Sequence, residues 1–349
     1  MKRCLELAQQ AEGYTRPNPM VGAVLVHENR VIGEGYHHNY GASHAEVNCL
    51  ENVAPADRQF IPESTMYVNL EPCAHYGLTP PCATRLIAEK VKKVVIANVD
   101  PFREVDGKGV AIMREMGIEV QTGLMAPEGL WLNRRFFCFQ TLKRPYIILK
   151  WAQSSDGFIA HPGGKKARIS SDESITMSHK WRSREAAIMV GYLTALNDNP
   201  QLTARQWPGR QPLRIALDRN LTLPKDYNLF NEDAATWIVN QLRETVSGQV
   251  HYVQVPFVNL LPALLTRLHE AHILSLIVEG GTQLLNSFLA AGLWDEARVI
   301  TSPQLLTDGI AAPVSLEGDK IMTETSGVDT VDVYTNKRSI FPYAPGMPL

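Results

Sequence analysis

The chain has 349 residues, a 45% apolar share and a formal net charge of -2. That length predicts two domains with separate cores, and the composition is that of a soluble globular protein. The near-neutral charge argues against a broad nucleic-acid surface, and no apolar run reaches membrane-spanning length. Five sparse cysteines, with Glu6 preceding any apolar stretch, fit a reducing, cytoplasmic setting.

Apolar groups at Cys4, Leu5, Ala8 and Ala11 predict a helix over 2–11. Arg16-Pro17-Asn18-Pro19 then blocks helix. Residues 21–26 and 31–36 read as strands joined at Glu28-Asn29, and Ser43 is placed to cap a helix over 44–52. A strand at 66–70 leads into a proline-rich loop over 71–81, after which Cys82 opens a helix to about Lys90. Strand 94–99, helix 107–116 and strand 118–122 complete a three-layer α/β pattern. Residues 124–144 read as a junction.

A second α/β pattern follows. Strands are predicted at 146–152, 186–190, 213–217, 236–240, 250–255, 274–278 and 296–301. Helices are predicted over 171–184, over 260–271, and from Gly281 through Asn286. Residues 328–334 read as an edge strand and the tail from Phe341 as irregular. The expected domains are 1–143 and 144–349.

Three separated segments fit one metal site: His44-Ala45-Glu46, Pro72-Cys73 and Pro80-Pro81-Cys82. One imidazole and two thiolates suit zinc and leave a fourth position for water. Glu46, two residues past the histidine, is then the candidate proton carrier for hydrolytic deamination. Both segments sit at predicted helix starts, where the helix dipole would hold Cys82 as thiolate. A purely structural zinc would need a fourth protein ligand, for which Cys4, Cys49 and His75 are candidates. Eight residues separate Cys73 from Cys82, a departure from the short P-C-x-x-C pattern.

With these residues, Pro17-Asn18-Pro19-Met20-Val21-Gly22-Ala23 and Asn69-Leu70-Glu71-Pro72-Cys73-Ala74-His75-Tyr76-Gly77-Leu78-Thr79-Pro80-Pro81-Cys82 resemble the deaminase domain of riboflavin biosynthesis, a cytidine-deaminase-like fold. In that family the long cysteine gap is its own mark. The resemblance implies that His44, Cys73 and Cys82 bind zinc and that Glu46 is the catalytic proton donor. It also implies that Asn18 and the loop His75 to Thr79 line the substrate pocket.

In the second half, the segment from Leu149 to Gly157, the loop from Asp198 to Arg205, and Val278-Glu279-Gly280-Gly281 resemble the reductase domain that follows the deaminase in the bifunctional riboflavin enzymes. That domain is similar in fold to dihydrofolate reductase. The resemblance implies NADPH held by Ala152, Thr194, Asp198 and the run Gly281, Thr282, Gln283, Leu284, Leu285, Asn286 and Ser287. It places Arg182, Leu202, Arg205 and Glu279 against the substrate, where an arginine can grip a phosphate by two parallel hydrogen bonds. One departure is Arg168, where many members carry tryptophan; the adjoining Gly163-Gly164-Lys165-Lys166 could form a cationic flap over a cofactor phosphate.

The implied activity is zinc-dependent deamination of a phosphorylated diaminopyrimidine ribosylamine. Reduction of the product's ribose to a ribityl chain by NADPH would follow. The implied partners are that small phosphorylated pyrimidine and further copies of the chain as a homo-oligomer, with neither nucleic acid nor membrane. A nucleic-acid deaminase with an accessory domain is the competing reading, opposed by the charge and the cysteine gap.

Overall fold

The computed structural model describes residues 1–76, 80–165, 167–314 and 316–349. The chain divides into two compact units: Met1–Leu142 with Phe341–Leu349, and Lys143–Ile340.

The first unit opens with α1 (Lys2–Gln9), β1 (Gly22–His27) and β2 (Arg30–Tyr36). It continues through α2 (Ala45–Glu51), β3 (Thr65–Leu70), α3 (Cys82–Ala88), β4 (Lys93–Asn98), α4 (Lys108–Glu115) and β5 (Glu119–Thr122). The sheet order is β2-β1-β3-β4-β5, antiparallel through the first three strands and parallel beyond. Glu28 and Asn29, with φ of 46° and 65°, make the tight turn that joins the hairpin. Strand alternation sets the layers. Ala23 and Leu25 pack with Cys49 of α2, Leu86 of α3 and Met113 of α4, while Val24 faces the other way, onto Cys4 and Leu7 of α1. Helices therefore cover both faces, as the three-layer expectation requires.

Three features depart from the sequence reading. The expected junction folds as α5 (Ala126–Leu132) and α6 (Arg134–Leu142), because Trp131, Leu132, Phe136 and Phe137 supply a buried face. His44, not Ser43, occupies the N-cap of α2, and its side chain makes no capping bond. Residues Phe341–Leu349, expected in the second domain, belong to the first unit, where the Trp131 indole donates to the Pro348 carbonyl at 2.8 Å.

The second unit runs through β6 (Tyr146–Ser154), β7 (Phe158–Ala160), α7 (Asp172–Arg184), β8 (Ala187–Val190), α8 (Tyr192–Asp198) and β9 (Leu213–Leu217). It continues with β10 (Thr236–Asn240), β11 (Thr245–Ser247), β12 (Val250–Gln254), α9 (Leu260–Glu270), β13 (Ser275–Glu279) and α10 (Thr282–Ala290). The last elements are β14 (Glu296–Ser302), β15 (Ile310–Ala311), β16 (Gly318–Ser326) and β17 (Asp329–Asn336). The main sheet has the order β11-β12-β10-β9-β8-β13-β6-β14-β17-β16. Strands β12 through β14 of that order are parallel, so their carboxyl ends share one edge. Their near-continuous apolar sequences suit burial on both faces. Leu264 and Leu268 of α9, with Leu285 and Phe288 of α10, pack over Leu149, Met189 and Leu276. The strand expected at the edge, β17, is interior. The partly exposed β16 covers it, and its polar sequence, without apolar alternation, hid it. No helix among the described residues is long and apolar enough to cross a membrane.

Candidate functional site

In the first unit, β2, α2 and the loop after β3 bring three ligand-type side chains together. His44 ends an extended segment as the N-cap of α2, with φ -71° and ψ 163°. Its Nδ1 lies 3.5 Å from Cys73 Sγ and 3.3 Å from Cys82 Sγ. Zinc holding nitrogen and sulfur at ordinary bond lengths spaces the two atoms roughly 3.6 Å apart. All three donor atoms fall within 4.8 Å of one another, and among the described residues no fourth histidine, cysteine or carboxylate joins them. Cys4 and Cys49 are instead buried thiols whose pKa burial pushes up, Cys4 to about 11.

The helix start reaches the other thiol as well. The Cys82 backbone N–H, in the first turn of α3, donates to Cys73 Sγ at 3.3 Å. Cys73 is thus the lowered thiol, held down chiefly by a hydrogen bond from the Cys82 thiol and further by His44. Cys82, its hydrogen-bond partner, is raised. The carboxylate of Glu71 fixes the loop behind them. It accepts from Val110 N at 3.0 Å, Gly107 N at 3.0 Å and Asp100 N at 3.2 Å. A Cβ at Gly109 would collide with the Pro72 carbonyl, so α4 can approach this loop only through glycine.

Glu46 lies in the first turn of α2, 3% exposed. Burial, followed by the negative charge at Cys73, pushes its carboxyl up to about 7. That value suits a group that must take and return protons near neutrality. Asn18 donates from Nδ2 to His37 Nε2 at 3.2 Å, and His37 Nδ1 in turn reaches the Ser43 carbonyl at 3.1 Å. The imidazole of His37 meets that of His44 edge-on, with centroids 5.4 Å apart. Residues 77–79 of the expected substrate loop lie outside the described residues.

In the second unit a cavity of about 1930 Å³ opens along the carboxyl ends of the parallel strands, where open α/β sheets bind ligands. Glycines shape its floor. Gly280 and Gly281 follow β13 with φ of 77° and 69°, and a Cβ on either would stand 2.9 Å from the Thr194 side chain. Ala152, Thr194, Asp198, Gly281, Thr282, Gln283, Leu284 and Ser287 line the cavity. Leu285 and Asn286 do not. A helix presents only part of its surface to one side, and Leu285 turns into the core with Phe288.

Arg182, Leu202, Arg205 and Glu279 all line the same cavity. Arg182 gives its Nε and Nη2 to the two oxygens of Glu279, at 2.8 and 2.7 Å. Its Nη1 reaches the Thr203 carbonyl at 3.2 Å, which Leu202 presents through a left-handed φ of 53°. The Arg182 fork is therefore taken, whereas Arg205 has no ion-pair or hydrogen-bond partner among the described residues. The Glu279 carboxyl is held down to about 2, burial opposing and the charges of Arg182 and Lys150 prevailing. His179 is lowered to about 4, mainly by burial and then by Arg182 and Arg205. With one carboxylate against three cations and a neutral imidazole, the cluster favours an anion. Arg168 also lines the cavity, and its guanidinium pairs with Asp172 at 2.6 Å. Of the proposed flap, Gly163 and Gly164 line the cavity, and Lys166 lies outside the described residues.

Comparisons with known proteins agree with both halves. The family model described as "Cytidine and deoxycytidylate deaminase zinc-binding region" matches residues 1–98, and that described as "RibD C-terminal domain" matches residues 145–333. The riboflavin biosynthesis protein RibD of Aquifex aeolicus is 39% identical over 89% of this chain and 88% of its own length. The chain belongs to the RibD family. The Escherichia coli member is 34% identical, covering 91% of this chain and 90% of that protein. The crystal structure of a RibD from Acinetobacter baumannii matches with a TM-score of 0.88 at 32% identity, over 97% of this chain and 98% of that one. A Thermotoga maritima structure, described as a diaminohydroxyphosphoribosylaminopyrimidine deaminase and 5-amino-6-(5-phosphoribosylamino)uracil reductase, matches with a TM-score of 0.87 at 32% identity, over 96% of this chain and 97% of that one. As a RibD family member the chain is a bifunctional enzyme of riboflavin biosynthesis, with a zinc-binding deaminase half and a nicotinamide-dependent reductase half.

Two residues were missed at the sequence level. Lys150 ends the apolar run of β6 inside the cavity, 9% exposed, with Nζ 3.7 Å from Glu279. Burial lowers its pKa. A lysine inside a buried parallel strand was the available signal. His37, which orients Asn18, gave no signal beyond its place at the end of β2.

Proposed function

We propose that the first unit deaminates a phosphorylated diaminopyrimidine ribosylamine and that the second reduces the ribose of the product with NADPH. The observation that carries the deaminase reading is a three-donor site with no fourth protein donor among the described residues, beside a buried carboxyl. His44, Cys73 and Cys82 are the residues that would hold zinc. Bound there, zinc would supply the Lewis acidity that makes water a nucleophile near neutral pH. Glu46 would take one proton from the attacking water and give it to the ring nitrogen, then take a second from the hydroxyl formed on the ring carbon and give it to the amine, which leaves as ammonia while the carbonyl forms. Asn18, held through its amide nitrogen by His37, keeps its carbonyl oxygen for a donor on the pyrimidine.

In the reductase half the chain binds and orients, since NADPH would bring the hydride. Gly280 and Gly281 let backbone N–H groups at the start of α10 meet a phosphate. Arg205 is the cation left to grip the substrate phosphate, because Glu279 occupies the fork of Arg182. Arg182 and Lys150 supply positive potential from behind. A preference for NADPH over NADH, a homo-oligomeric state and a cytoplasmic location complete this reading. The cofactor preference and the oligomer rest on the family resemblance, and the location rests on the sparse cysteines.

Metal analysis paired with an ammonia assay tests the deaminase half. The purified chain should carry about one zinc per molecule, the stoichiometry of a single catalytic site, and should release ammonia from the diaminopyrimidine. A zinc-loaded protein that releases none would overturn the reading.

A further inference from the structure

The last residues of the chain, reached only after the whole reductase sequence, are built into the deaminase unit. Met347 packs against the same small cluster, Leu5, Ala8 and Leu132, as does Met20. Tyr343 meets Trp131 edge-on with ring centroids 5.1 Å apart, and the Trp131 indole donates to the Pro348 carbonyl at 2.8 Å. The tail is folded on itself as well, through Met347 N to the Ala344 carbonyl at 3.1 Å. Trp131 is fully buried, so this hydrogen bond satisfies a donor that has no access to water.

Two residues beyond Trp131, Asn133 continues the connection. Its Oδ1 accepts from Met20 N at 2.8 Å, and its Nδ2 donates to the Met20 carbonyl at 2.9 Å. Asn133, 3% exposed, thus reaches both backbone groups of Met20; it alone takes the N–H and shares the carbonyl with Asn69 Nδ2 at 3.0 Å. Met20 stands two residues after Asn18, in the loop where Asn18 N bonds the Thr15 carbonyl at 2.8 Å. That loop precedes β1, which begins at Gly22, so side chains and single bonds hold it: Asn69 of β3 ties Gly22 N and the Met20 carbonyl, His37 N ties the Val21 carbonyl, and Asn133 takes the Met20 N–H.

We propose that Asn133 is a positioning residue for deamination, and that the C-terminal tail, through Trp131 and Met347, locks it and the Asn18 loop in place. The inference rests on the reading of Asn18 as a substrate contact. Asn133 touches no reacting atom. It sets where the Asn18 amide stands, and a small misplacement of a binding group is costly.

The test compares Asn133→Ala, a full chain ended at Ala344, and Asn18→Ala. Each is assayed for deaminase KM and kcat on the diaminopyrimidine, zinc content, reductase KM, and hydrogen exchange of the peptide over residues 14–22. Asn133→Ala and the shortened chain should raise deaminase KM about tenfold, the effect of losing one or two hydrogen bonds. Both should speed exchange in 14–22 and leave kcat, zinc and reductase constants near parental values. Should the shortened chain fail to fold, Trp131→Phe removes the Pro348 bond with the tail in place and should shift KM and exchange the same way. Parental KM and exchange in Asn133→Ala would overturn the proposal, as would losses of zinc and kcat at unchanged KM, the mark of a purely structural role. Asn18→Ala separates the two readings. If it leaves KM unchanged while Asn133→Ala raises it, the role of Asn18 falls and the brace stands; the reverse result removes the brace alone.

Discussion

Replacing Glu279 by glutamine should destabilise the second unit by an amount the structure sets. The carboxylate is 7% exposed and receives both arms of the Arg182 fork, with Lys150 at 3.7 Å. Its pKa sits at about 2 against an ordinary 4.5, equivalent to about 3 kcal/mol of net stabilisation of the charged form. Glutamine keeps the shape, loses the charge, and turns an amide donor toward a guanidinium. Breaking a buried pair from one side costs about 3 kcal/mol or more. Because the folded pKa is lowered, the contribution is present above pH 4.5 and is lost as pH falls through about 2. The parent's advantage over Glu279→Gln should therefore be about 3 kcal/mol near neutrality and roughly half that at about pH 3. Urea unfolding followed by tryptophan fluorescence reports it. Of the six tryptophans, all but Trp131 lie in Lys143–Ile340. A difference below about 1 kcal/mol, or one that does not shrink toward acid pH, would refute the reasoning.

Glu46→Gln should abolish ammonia release, by about a hundredfold or more, while zinc stays bound; ordinary turnover would refute the proton-carrier role. Chelation of zinc should remove the deaminase and spare the reductase, which is checked by assaying NADPH oxidation with deaminated substrate before and after metal removal. Arg205→Ala should raise the reductase KM about tenfold or more, the scale of a charge-assisted hydrogen bond, with Arg205→Lys in between; no change in the initial-rate KM would return the phosphate to Arg182.

The candidate zinc ligands were legible because their chemistry requires particular residue types, and His44, Cys73 and Cys82 stand at element ends that the pattern of strands and helices locates. The electrostatics were less so. Sequence put Cys82 at a helix start, but which thiol the N–H of that turn serves, Cys73 Sγ, needed the structure. Likewise Arg182 and Arg205 looked equivalent until the Glu279 carboxylate was seen to occupy one fork, a pairing between residues 97 apart in the chain. The run from Gly281 to Ser287 was read as one binding segment, and helical geometry sends Leu285 into the core. Strand β16, partly exposed and mostly polar, carries no apolar alternation to betray it. The tail's return to the first unit depends on a buried indole that needs an acceptor, which local sequence cannot disclose.

The bifunctional reading meets its most direct test when purified protein is incubated with the phosphorylated diaminopyrimidine ribosylamine, with and without NADPH, and both products are identified. Without NADPH the account predicts ammonia and the ribosylamino-uracil alone. With NADPH it predicts the ribityl compound, with cofactor oxidised mole for mole. Ammonia release that never leads to NADPH oxidation, or a substrate left intact under both conditions, would contradict it.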